Sequence, residues 1–184
     1  MQDDAWLAFS ERVSCEDDCY LDCEPLEKPL SPAQALCQAE RNVHVLATIA
    51  ALEERRADIG EDDSPLMQEM LRMDAKLTAL VNIVNQLLVP AGTLPSRQLL
   101  RFNAVGALLP ASLVPASDIM LLRLRFDLCR SLSLELPAQI GRRFDDGHVF
   151  VEFTSLGDVL GDAIERLVFR HHRRKVAEAR QTPD

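Results

Sequence analysis

Three cysteines open the search for chemistry. Cys15, Cys19 and Cys23 are spaced C-x3-C-x3-C, and thiolates hold zinc and iron–sulfur clusters. The spacing fits neither the C-x2-C pairs of zinc elements nor the C-x3-C-x2-C set of radical enzymes. Asp17, Asp18 and Asp22 lie among them and disfavour further negative charge, so the thiols are read as solvent-exposed, reduced and metal-free. A second cluster is basic: Arg166, Arg170, His171, His172, Arg173, Arg174, Lys175 and Arg180. Cations in the last turns of a helix complement its dipole and can dock on an acidic protein surface. One helix without stacking aromatics among its bases does not make a nucleic-acid partner. Catalytic signatures are missing: no GxxxxGK[ST], no HExxH and no G-x-S-x-G elbow occurs. His44 falls within a helical pattern and His148 at the start of a strand, neither beside a nucleophile in sequence. The expectation is therefore of no enzyme and no cofactor.

These residues sit in a chain of 184, with 47% hydrophobic residues, 5% aromatic residues and a net charge of −9. That is the balance of an ordinary globular chain with a helix-favouring, aliphatic core. No apolar run approaches the roughly 18–20 residues that cross a bilayer, the amino terminus is acidic, and five cysteines without an export signal read as reduced thiols. The expected place is the cytoplasm. Residues 1–64 carry a net −11 and residues 65–184 a net +2, so two differently charged surfaces are expected to share the chain. The acids, Pro25 and Pro29 suggest a mobile acidic leader over 1–30, which could still dock through Trp6, Leu7 and Phe9.

Ser31, Pro32 and Gln34 form a capping box that starts a helix expected over 32–59, with Leu36, Ala39, Val43, Leu46 and Ala50 as its apolar stripe and Gly60 as its stop. Ser64 and Pro65 start a second, running to about 89 before Pro90 and Gly92. Leu66, Met70, Met73, Leu77, Leu80, Val84 and Leu87 recur along it at steps of four and three. That is a seam of period 3.5, the mark of a coiled coil. Met67, Val81, Ile83 and Leu88 widen it beyond what two strands cover, which favours a tetramer, with trimer or dimer open. The alternative is a hairpin packed on the protein's own remaining core. From residue 94 the pattern shortens to β-like runs over 99–109, 119–126, 131–140 and 148–153, separated by Pro110, Pro115 and Asp145-Asp146-Gly147. A last helix is expected from a cap at Ser155, with Asp158 three residues on, to about residue 180, burying Val159, Ala163, Ile164, Leu167 and Val168.

Three passages, RFNAVGALL from Arg101, LSLELPAQIG from Leu132, and VFVEFTSL from Val149 leading to IERLVFRHHRR from Ile164, resemble the PilZ domain. The resemblance implies a small barrel followed by a helix, commonly a receptor for the bacterial messenger cyclic di-GMP, in motility or virulence. Ligand-binding members carry RxxxR and D/N-x-S-x-x-G. Aligned on Gly106, Asn103 stands at the serine position and Arg101 at the acid position, while Arg97 and Arg101 spell RxxxR but overlap the second motif. Arg97, Arg101, Asn103 and Gly106 thus form at most a residual nucleotide site, with Arg142 and Arg143 as remote substitutes.

The reading is an α+β chain: an acidic leader over 1–30, a helical oligomerisation segment over 31–90, and over 94–184 a small antiparallel, PilZ-like β-barrel with a C-terminal helix. Its expected role is that of a non-enzymatic signalling adaptor. It self-assembles as a homo-oligomer, binds an unidentified protein partner, and binds cyclic di-GMP weakly or not at all. A genuine receptor with a non-standard site is the alternative.

Overall fold

The computed structural model describes residues 2–54 and 65–181, with side chains for 4–53, 68–90 and 92–177. The expected Gly60 stop, the linker, the Ser64 cap, residues 55–59 of the first long helix and the side chains of Leu66, Met67 and Arg180 lie outside the described residues. Ten elements follow in chain order: α1 (Gln2–Glu11), β1 (Cys15–Pro25), α2 (Pro32–Glu54), α3 (Pro65–Leu88), β2 (Arg97–Phe102), β3 (Gly106–Pro110), β4 (Ile119–Arg125), β5 (Leu134–Arg143), β6 (His148–Phe153) and α4 (Gly157–Gln181). The six strands close an antiparallel barrel in the order β1-β2-β3-β6-β5-β4. None of the described helices is long and apolar enough to cross a membrane.

The acidic leader is a correction. Residues 2–11 are helical, and residues 15–25 form the strand that closes the barrel, pairing with β2 through Cys15–Tyr20 and with β4 through Tyr20–Pro25. The reason lies in period two: Cys15, Cys19 and Leu21 point inward and are buried, Cys23 is half-buried, and most of the acids face out. A four-residue spacing puts thiols on one face of a strand, so Cys15 and Cys19 are core residues and not exposed ones. Burial and the nearby Asp17 and Asp18 push the Cys19 thiol up to about 12. Burial and Asp22 push Cys23 up to about 11.

The outward acids meet the bases of the later strands. Asp22 pairs with Arg123 and Arg125 at 3.4 and 3.1 Å, Glu24 with Arg123, and Asp18 with Arg97 at 3.1 Å. Part of the acidic charge of the first half of the chain thereby meets arginines of the second half. The expected run 99–109 is in fact two strands. The Asn103 side chain accepts the Val105 N–H at 2.8 Å, while the Asn103 N–H reaches the Gly106 carbonyl at 3.0 Å, a local turn that asparagine favours. β5 starts later than expected, at Leu134, and continues to Arg143 through a register shift beside Gly141.

The capping box forms: the Ser31 N–H and hydroxyl both reach Gln34 Oε1, at 3.0 and 2.8 Å. The buried face of α2 is rotated from the expected stripe, since Asn42, Val45, Leu46, Ile49 and Glu53 are buried and Leu36 is exposed. Two polar residues on that face made it unreadable as an apolar pattern. α4 buries Leu160, Ile164, Leu167 and Val168 on the barrel, but Val159 is exposed. Ser155 lies two residues before the helix at φ +58°, so it is not the adjoining cap. α1 lies over the outer face of the barrel, where Trp6 and Phe9 meet Phe150 at ring separations of 5.4 and 5.1 Å and Trp6 meets Phe144 at 4.7 Å. Leu7 remains exposed.

Candidate functional site

α3 is pinned to the barrel by one polar residue. Asn85, buried, donates weakly to the Leu128 carbonyl and accepts from the Ser131 hydroxyl at 2.8 Å and its N–H at 3.3 Å. Val81 and Thr78 face Leu52 of α2 and Leu128. The opposite side is the heptad seam, where Met70, Met73, Leu77, Leu80, Val84 and Leu87 are 42–75% exposed, flanked by exposed Ile83 and Leu88. These side chains do not cover the protein's own barrel. A contiguous apolar stripe of this length marks an interaction surface.

α2, α4 and β1 meet at a charge cluster. Glu53, 4% exposed, receives His171 Nε2 at 2.8 Å, Arg170 Nε at 3.0 Å and Arg174 at 3.4 Å. The other ring nitrogen of His171 lies 3.1 Å from Asp17 Oδ2, and the Phe126 ring packs edge-on against the imidazole. Burial opposes both charges. The hydrogen bonds and the surrounding cations nevertheless bring Glu53 down to about 2, and the bonds to Asp17, Cys15 and Glu53 hold His171 at about 11. Asp17 is likewise lowered, with the His171 bond and charge outweighing its burial. The expected basic cluster is therefore split: Arg170, His171 and Arg174 turn onto these acids, while Arg166, His172, Arg173 and Lys175 are exposed.

The four residues of the residual nucleotide site are each engaged within the fold. Arg97 pairs with Asp18 and with Asp127 at 2.8 Å and lies over the Tyr20 ring. Arg101 donates to the Ser14 hydroxyl at 2.8 Å and lies over Phe9. Asn103, 2% exposed, donates to the Phe9 carbonyl at 2.9 Å. A Cβ on Gly106 would stand 2.2 Å from the Val151 carbonyl oxygen and 2.7 Å from Phe150. The barrel brings Arg101, Asn103 and Gly106 to one place, the β2–β3 turn, but α1 covers it. Arg97 lies at the far end of β2, and Arg142 stacks on Phe144 in the aromatic patch.

A sequence model described as "Atypical PilZ domain, cyclic di-GMP receptor" matches residues 46–181. The chain belongs to the atypical PilZ domain family. Among solved structures it is similar to a tetrameric PilZ domain from Xanthomonas campestris, a pathogenic protein self-assembled via a helical bundle, at 25% identity. The TM-score is 0.69, and the similarity covers 95% of this chain and 97% of that one. No curated protein matches. The family match begins inside α2, so the strand that closes this PilZ barrel, β1, lies ahead of it.

Four residues that hold the PilZ barrel to its helices escaped the sequence reading. Asn42, Glu53 and Asn85 are polar residues at buried helix positions, each with other polar residues close by in sequence that mask it, and Asp17 breaks the inward alternation of β1. A polar residue at an apolar-periodic position is the signal that was available, since such a group is buried only with partners.

Proposed function

We propose that this PilZ domain is a non-enzymatic signalling adaptor in cyclic di-GMP-linked motility or virulence, assembled into a homo-oligomer through α3. The observation that carries this reading is the uncovered seam from Met70 to Leu87. Burying such side chains contributes roughly 10–20 kcal/mol per helix before entropy is subtracted. Ile83 and Leu88 widen the exposed face beyond a two-stranded coil, and the helical bundle of the tetrameric neighbour supports four copies. Several barrels on one scaffold would bind a protein partner by avidity, without any single strong site. Free cysteines fit a reducing cytoplasm.

Weak or absent messenger binding is supported by the occupation of both arginines. Guanidinium groups that would grip phosphates are committed to Asp18, Asp127 and Ser14. The receptor description of the family keeps a genuine cyclic di-GMP receptor as the second reading. Light scattering should report a tetramer that Leu77→Glu with Leu80→Glu converts to monomer, and calorimetry with cyclic di-GMP on the same sample should show no sub-micromolar event. A wild-type monomer at tens of micromolar would refute the assembly, and tight binding would establish the receptor.

A further inference from the structure

An aspartate on the inward face of β1 demands a partner, and Asp17 shares that face with Cys15 two residues earlier. α4 brings His171 to the same place, so that Cys15 Sγ, an Asp17 carboxylate oxygen and a His171 ring nitrogen all lie within 4.8 Å of one another. Three different donor types converge here from two elements far apart in sequence. Cys15 is buried and the other two are half-buried.

We propose that Cys15, Asp17 and His171 form a binding site for a zinc-class divalent cation that ties β1 to α4. Thiolate, imidazole and carboxylate together are a zinc ligand set, and three protein ligands leave one position for water. Zinc bonds of about 2.0–2.3 Å place neighbouring tetrahedral donors roughly 3.3–3.8 Å apart, so the present spacing closes by small side-chain rotations. His171 is already oriented for the task. Its Nε2 is fixed on Glu53 at 2.8 Å, which directs Nδ1 toward Asp17 and Cys15. A metal-bound histidine commonly gives its other ring N–H to a carboxylate in this way. Glu53 is in turn held by Arg170 and Arg174. In the metal-free protein the Nδ1 proton of His171 points at the Asp17 oxygen, 3.1 Å away, and a divalent cation would take that proton's place among the three donors. On binding, the cation replaces the proton of the Cys15 thiol and the proton on His171 Nδ1. The thiolate and the Asp17 carboxylate then balance its two charges.

The full chain, stripped with a chelator and refilled with cobalt(II), should show a sulfur-to-cobalt charge-transfer band and tetrahedral d–d bands at one metal per chain. Cys15→Ser should abolish the charge-transfer band, while Cys37→Ser, altering an exposed thiol, should leave it unchanged. Zinc affinity measured by competition with a chromophoric chelator should fall at least tenfold in Asp17→Asn and 10–100-fold in Glu53→Gln, the usual loss for an outer partner. Should Cys15→Ser fail to fold, Asp17→Asn carries the test, because Asp17 is only half-buried. No band in the wild type, a band that survives Cys15→Ser, or affinity unchanged in Asp17→Asn overturns the site.

Discussion

Gly106 and Gly141 make the slot that receives Phe150, since a Cβ at either would stand 2.7 Å from that ring. At Gly106 the nearest atom is the Val151 carbonyl oxygen of the paired strand, which cannot swing aside. Gly106→Ala should therefore cost about 3 kcal/mol or more, read as a fall in the urea midpoint. A near-neutral result would show that the β3–β6 pairing yields easily. The sequence pointed to Gly106 through the resemblance, as part of a residual nucleotide site, whereas the structure gives it a packing reason that only the β3–β6 pairing reveals. The charge cluster sets a pH profile for the metal-free protein. Glu53, ordinarily near 4.5 and here about 2, contributes stability above about pH 4.5 that is lost as the pH falls through 2. His171, ordinarily 6.5 and here about 11, contributes below about pH 6.5, and its contribution is lost as the pH rises toward 11. These two groups place the stability maximum between those limits. His171→Gln should flatten the alkaline decline in urea midpoint, and an unchanged slope would deny the cluster this role.

Among the elements, α2 is docked by an asparagine that imitates a neighbouring strand. Asn42 donates to the Glu135 carbonyl at 2.6 Å and accepts the Glu135 N–H at 2.9 Å. Asn42→Ala should cost about 2 kcal/mol and speed amide exchange at Glu135, because both backbone groups lose their partner in a half-buried place. Exchange unaltered at Glu135 would mean that water substitutes freely. Element existence was readable wherever a period was clean: β6 falls over residues 148–153 as expected, and the capping box starts α2 at Pro32. β1 was not readable, because acids on its outer face hid a strand whose inner face uses cysteines. The arginines that neutralise those acids, Arg97, Arg123 and Arg125, lie on strands that follow the helical segment. Only the closed sheet reveals the pairing.

For the whole molecule, the assembly proposed through α3 would join stability to concentration. Association that buries Leu77 and Leu80 should make the wild-type melting temperature rise with protein concentration, and the Leu77→Glu, Leu80→Glu pair should remove that rise while leaving the barrel folded. Concentration-independent melting in the wild type would argue against the assembly. The heptad was the clearest long-range signal in the sequence, and its side chains among the described residues, Met70, Met73, Leu77, Leu80, Val84 and Leu87, are all exposed. One property of the topology reaches back to synthesis. About 70 residues separate Pro25 from Arg97, the strand end and strand start that border the helical insertion. At about 5–20 residues per second of translation, β1 leaves the ribosome several seconds before its two neighbours exist. The nascent chain must keep that first strand unmated while both long helices emerge, so the barrel closes only after the later strands have followed them.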